Sequence, residues 1–281
     1  SSLFWQFANQ VTKKSEVKRF YGLYAMIANM GVILSGGILR TMSNAKGAEF
    51  DRNVRILVGL CILFAFVTMG IFYYINAVIL KDPRFYDPSE VKTKKKKAKV
   101  GIGEGIKILF TSPYIGLIAV LVIAYGVSIN FTEVIWKEQM RANLAGPNEY
   151  AQMMGILSIA TGIFTICTSL LSTYILRKFS WKISAVITPI VMLTLGGIFY
   201  ALILYGKNGG KEIFGLSVPM MAIWVGLFVD ALVKSIKYCL FDSTKNMAYR
   251  PLDDETKTKG QAAVEVIGGR AGKAGASTII Y

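Results

Sequence analysis

The chain has 281 residues, 53% hydrophobic and only 17% charged, where an ordinary soluble domain carries roughly 25% charged residues. It holds no His, which excludes imidazole bases, His-metal sites and Ser/His/Asp triads. A formal net charge of +15 would suit a nucleic-acid partner, but its placement along the chain argues for a membrane.

The chain opens inside an aromatic segment (Leu3, Phe4, Trp5, Phe7) with no short cleavable signal peptide, so Ser1–Thr12 reads as the end of a helix cut through. Charge-free runs then occupy Phe20–Leu39 and Ile56–Leu80 and, after a polar stretch, Ile108–Thr132, Tyr150–Leu176, Ile183–Gly206 and Ile213–Val229. About 20 apolar residues rising 1.5 Å each cross a hydrocarbon core of ~30 Å, so five of these runs span as they stand. The sixth spans if Asp230, Lys234 and Lys237 face protein or water instead of lipid. A last partial helix begins near Gly260, and the end inside Ser277–Tyr281 again reads as a cut. The expectation is the middle of a longer all-α polytopic membrane protein. Residues 1–80 close an N-terminal helix bundle, 81–107 form a basic linker, and 108–281 make most of a C-terminal bundle.

Alternate loops sort the basic residues by side. One set holds 22 Lys and Arg and the opposite set 8, which places the first set, with the Lys92–Lys99 run, in the cytoplasm. That run therefore orients the protein and meets anionic headgroups rather than nucleic acid. Two helix bundles joined by a long basic cytoplasmic loop outline a secondary transporter with substrate near the midplane. A channel or receptor shares the outline, and charges inside the spans are what separate them.

Asn130 and Glu133 lie three apart on one helix face near the outer end of their span, with Gly126 and Lys137 on the same stripe. Glu133 either snorkels to the interface or is a functional intramembrane acid. Asp230, Lys234 and Lys237 follow an i, i+4, i+7 pattern. They form either an Asp230–Lys234 pair closed on itself with Lys237 at the interface, or a cationic wall in a central cavity with Asp230 holding one lysine in place. Gly101–Gly105 lacks the βαβ context of a nucleotide fingerprint. In Glu265–Tyr281 the glycines do not fit a phosphate loop, because Ile267 stands at its first glycine and Ala274 follows Lys273. Gly268-x-x-x-Gly272 suits close helix approach instead. Arg270 and Lys273 then point together into the interior, where paired cations call for an anion. Cys61, Cys167 and Cys239 have no CxxC spacing and read as core residues.

Four stretches carry more than periodicity: FWQFANQVTKKSEVKRFY (Phe4–Tyr21), NFTEVIWK (Asn130–Lys137), PNEYAQMMG (Pro147–Gly155) and KYCLFDSTKNMAYRPLDDETKTKGQAAVEVIGGRAGKAG (Lys237–Gly275). In this order the chain resembles the ATP/ADP translocase family of plastids and obligate intracellular bacteria. The resemblance implies a twelve-helix, major-facilitator-like carrier, of which this chain runs from about the fourth helix to the eleventh. It implies exchange of ATP for ADP, with or without phosphate; relatives move other nucleotides, NAD, or nucleotide with protons. The family's transport-critical charges are similar to Glu133, Lys273 and Glu16. The chain departs from the family at Gln261, Glu265 and Asn246, where Lys, Asp and Glu are common, which leaves the charge state of the substrate open.

The expected substrate-binding set is thus Lys273, Arg270, Glu133, Asn130, Lys234, Lys237, Asp230 and Glu16. Tyr125, Phe131 and Trp136 are equivalent candidates for stacking on adenine. No cofactor and no hydrolysis are expected, since no Walker motif or Mg²⁺ carboxylate cluster stands in the chain. The expected surroundings are a lipid bilayer, either a bacterial inner membrane or a plastid inner envelope, with the working oligomer left open and a monomer admissible.

Overall fold

The computed structural model describes residues 7, 17–44, 49–81, 102–213 and 215–265. In chain order these form α1 (Val17–Asn44), α2 (Phe50–Ala77) with a 3-10 turn at Ile79–Lys81, the short α3 (Ile102–Thr111), and then α4 (Pro113–Asn143), α5 (Pro147–Lys178) and α6 (Trp181–Lys207). A two-stranded antiparallel hairpin, β1 (Glu212–Ile213) and β2 (Leu216–Ser217), leads into α7 (Val218–Ile236). One π-helical turn, Lys237–Phe241, continues α7 into α8 (Asp242–Ala248), and α9 (Asp254–Ala263) follows. Six stretches are long and apolar enough to cross a membrane: Leu23–Asn44, Phe50–Lys81, Pro113–Asn143, Pro147–Lys178, Trp181–Lys207 and Val218–Ala248. The protein is therefore an all-α polytopic membrane protein.

Local chemistry sets the ends of these helices. Proline stands in the first turn of α4, α5 and α7, where its fixed φ suits the helix and its missing N–H is not needed. Pro113 also explains a difference from the sequence reading. The run expected to begin at Ile108 is divided at Ser112, so that Ile102–Thr111 is a separate helix and the span starts at Pro113. Similarly, Ile213 and Leu216–Ser217 belong to the hairpin and not to the sixth span. The bends around it use Gly209 at φ +92 and Gly215 at φ +77, backbone that a Cβ disfavours. At α9, Asp253 caps the helix by accepting from the Thr256 N–H at 3.0 Å.

Helix α7 is the centre of the packing and touches α4, α5 and α6. Gly226 lets this happen: a Cβ there would run into Trp136 of α4 and Phe199 of α6. Trp136 is fully buried and donates its Nε1–H to the Ile223 carbonyl at 2.8 Å, locking α4 to α7. A second seam joins α1 to α5, which lie on either side of the basic stretch 81–107 in sequence. At Gly36, Gly155 and Gly162 a Cβ would meet the facing helix's backbone or side chains, so the two helices approach almost to backbone contact. The N-terminal end of α4 packs in a separate cluster with α3, α9 and the end of α8, through Ile115, Ile118, Ala119, Ala248, Tyr249 and Val264. Tyr249 lies just beyond the last span, and burial holds its phenol above the ordinary value.

Along α2 the apolar side chains, including Phe64, Phe66 and Phe72, are exposed, as suits a helix facing lipid or other helices. The cysteines correct an expectation: Cys61 and Cys167 are exposed and only Cys239 is partly buried, because in lipid an apolar side chain gains little from facing inward.

Candidate functional site

The two i, i+4 pairs legible in the sequence form, and the fold joins them into one chain of charge. On α4 the Lys137 Nζ donates to Glu133 Oε1 at 2.6 Å, and on α7 the Lys234 Nζ donates to Asp230 Oδ2 at 2.8 Å. Lys234 also reaches across to Glu133 Oε2 at 3.1 Å. Lysine and carboxylate thus alternate as Lys137, Glu133, Lys234, Asp230, with formal charges that sum to zero. The side chain of Asp230 is 0% exposed, while Glu133 and Lys234 are 23% and 26% exposed, so the chain runs from a fully buried end to a partly exposed one. Lys234 stands close to the middle of the Val218–Ala248 span. Ionised side chains at that depth are expensive and persist only when paired.

This arrangement differs from the first sequence reading of the α7 stripe. The Asp230–Lys234 pair is not closed on itself, since Lys234 also bridges to α4. Asp230 holds Lys234, and Glu133 shares it. Lys237 belongs elsewhere: the π-helical turn carries it to Asp242 Oδ2 at 3.3 Å, with its Nζ 4.5 Å from the Tyr238 ring centroid, and Lys245 meets the other Asp242 oxygen at 3.4 Å. Asn130 shares the α4 face with Glu133, but its Nδ2 donates back to the Gly126 carbonyl at 2.6 Å. Glu16, Arg270 and Lys273 lie outside the described residues.

A cavity of about 690 Å³ opens between α4, α6 and the π-helical turn, lined among others by Tyr125, Phe131, Thr132, Pro189, Tyr200 and Phe241. Tyr125 stacks on Phe241 at 4.5 Å between centroids, and the Thr132 and Tyr200 hydroxyls meet at 2.9 Å. At 100° per residue, the α4 positions lining this cavity fall well away from the Gly126, Asn130, Glu133, Lys137 stripe. Tyr125 and Phe131 therefore do not share the face of the charges, and Trp136 is taken up in the core. Tyr125 still meets α7 next to Lys234, its hydroxyl donating to the Val233 carbonyl at 3.4 Å.

Sequence reasoning missed the Glu133–Lys234 bridge, the hydroxyl pair and the π-helical turn. The first two join residues distant in sequence, and helical periodicity reports only on one helix at a time.

The family model described as TLC ATP/ADP transporter matches residues 1–281. The chain belongs to the ATP/ADP transporter family. It is 39% identical to ADP,ATP carrier protein 1 of Chlamydia muridarum over 288 residues, which cover 99% of this chain and 54% of the relative. ADP,ATP carrier protein 1 of Rickettsia conorii is 42% identical over 285 residues, covering 99% and 57%. The chloroplastic ADP,ATP carrier protein 1 of Arabidopsis thaliana is 38% identical over 287 residues, covering 99% and 45%. The chain spans about half the length of the curated relatives it matches. No solved structure matches.

Proposed function

We propose that this chain is part of a secondary transporter that exchanges ATP for ADP by alternating access, and that the ionic chain between α4 and α7 is part of its phosphate-binding site. The observation that carries this reading is the Glu133–Lys234 bridge at 3.1 Å. A cation near the middle of a span, held by an acid on a neighbouring helix and partly exposed, is a donor that a polyphosphate can take over. Phosphate oxygens and a carboxylate compete for the same ammonium protons. Substrate therefore displaces Glu133 from Lys234, and after release Glu133 returns and closes the bridge.

In this mechanism Glu133 resets the site and does not itself bind phosphate. Lys137, its other partner, is the second donor freed when Glu133 moves. Lys273 adds a cation from the C-terminal segment and Glu16 an acid from the first half, as the family resemblance implies, and Arg270, three residues before Lys273, adds a second cation. The two halves, 1–80 and 108–281, rock about the linker 81–107, and the α1–α5 seam is the contact across which they move. The protein works in a bacterial inner membrane or a plastid inner envelope with the linker on the cytoplasmic or stromal side, and transports without hydrolysing its substrate.

Nucleotide affinity of the intact protein, measured with Lys234→Gln, tests the reading. Loss of the cation is expected to weaken ATP binding at least tenfold, about 1.4 kcal/mol. A folded Lys234→Gln protein that binds ATP as tightly as the parent would contradict it.

A further inference from the structure

Asp230 has a feature that phosphate binding by Lys234 leaves unused. Its side chain is 0% exposed, and while Oδ2 holds Lys234 at 2.8 Å, Oδ1 has no hydrogen-bond partner among the described residues. Beside it lies a cavity of about 10 Å³, lined by Asp230 and Val233 of α7, Thr132 of α4 and Met192 and Gly196 of α6. That is room for roughly one water. The Thr132 hydroxyl, paired with that of Tyr200 at 2.9 Å, gives such a water a polar partner opposite the carboxylate.

We propose that Asp230 is a proton-binding site coupled to the nucleotide: when phosphate draws Lys234 away, Asp230 takes up one proton, and gives it back when Lys234 returns. This rests on the phosphate-binding role of Lys234. The charged groups facing Asp230 are Lys234 on its own helix and Glu133 and Lys137 on α4, and the titratable Tyr125 hydroxyl of α4 lies near, on the Val233 carbonyl at 3.4 Å. Next along the chain, Lys237 is engaged by Asp242. From α6 comes the Tyr200 hydroxyl through Thr132, and α5 meets α7 through the hydroxyls of Thr165 and Ser235, 3.0 Å apart. Only Lys234 contacts the Asp230 carboxylate directly among the described residues. Glu133 keeps Lys137 and its partial exposure when Lys234 leaves, and so stays ionised. Asp230 keeps neither, and an unpaired charge in a dry site costs far more than protonation. The proton comes from solvent by way of the partly exposed Glu133–Lys234 end. One O–H bond forms on Oδ1, and the neutral acid donates it to the cavity water or to the Thr132 hydroxyl. No other bond changes. Each nucleotide is thereby bound with one compensating positive charge.

Calorimetric titration of the intact, detergent-purified protein with ATP tests this at about pH 8, where the terminal phosphate, ionising near 6, is already deprotonated. Two buffers of different ionisation heat report the protons exchanged. The parent is expected to take up close to one proton per ATP, and Asp230→Asn close to none while binding ATP more tightly, its Lys234 being held by Glu133 alone. A second measurement needs no variant: uptake of a proton makes ATP bind up to tenfold more weakly per unit rise in pH. Binding by the parent with no proton uptake and no pH slope overturns the proton site and leaves the phosphate site standing. Unchanged uptake in Asp230→Asn does the same. A parent that binds no ATP overturns the phosphate site, and the proton site with it.

Discussion

At the residue scale the account turns on Glu133, whose carboxylate divides its two oxygens between lysines on different helices. Removing its charge frees Lys234 and Lys137 for phosphate but removes the group that takes them back. Glu133→Gln is therefore expected to bind nucleotide several-fold more tightly and to exchange it at least tenfold more slowly, a split that parallel binding and transport assays resolve. Equal loss of both would instead make Glu133 a direct ligand. Trp136 gives the contrasting case. Trp136→Phe deletes a buried hydrogen bond worth about 1–2 kcal/mol and is expected to lower the thermal midpoint while nucleotide affinity stays within twofold, because this ring belongs to the core. The members of the ionic chain were legible from i, i+4 spacing in a charge-poor sequence. Their connection was not, since whether Lys234 faces Glu133 depends on how α7 is rotated against α4, and that rotation is set by Gly226 and Trp136.

At the element scale the glycines of α1 and α5 decide how closely a helix before the linker meets one after it. A Cβ at Gly155 would strike the Arg40 backbone N–H and the Gly36 carbonyl, neither of which can turn aside. Gly155→Val is expected to cost about 1–3 kcal/mol by overpacking and to lower the thermal midpoint. Gly59→Val in α2, where nothing lies within 4 Å, should leave it unchanged. Similar losses for both would mean that helix propensity, and not the seam, is being measured. The six spans were plain in the sequence because charge-free runs of this length have few other uses. Their ends were less plain: hydropathy continues through Ser112 and Ile213, whereas Pro113 and Gly215 break the helix there. The π-helical turn was invisible, as one extra residue leaves the hydrophobic pattern of a largely buried helix unchanged.

For the whole molecule, orientation follows from the basic residues, 22 on one set of loops against 8 on the other. Cysteine introduced at Ser180, in the turn between α5 and α6, should react with an impermeant thiol reagent only from the cytoplasmic side. One introduced at Asn208, after α6, should react only from outside, and the opposite labelling would invert the topology. Nucleotide exchange is read most directly from release of labelled ATP by bacterial cells that express the intact protein and have been preloaded with the label. The account predicts that external ADP accelerates release and that unlabelled buffer does not. Release indifferent to external ADP, with the protein folded in the membrane, would contradict it.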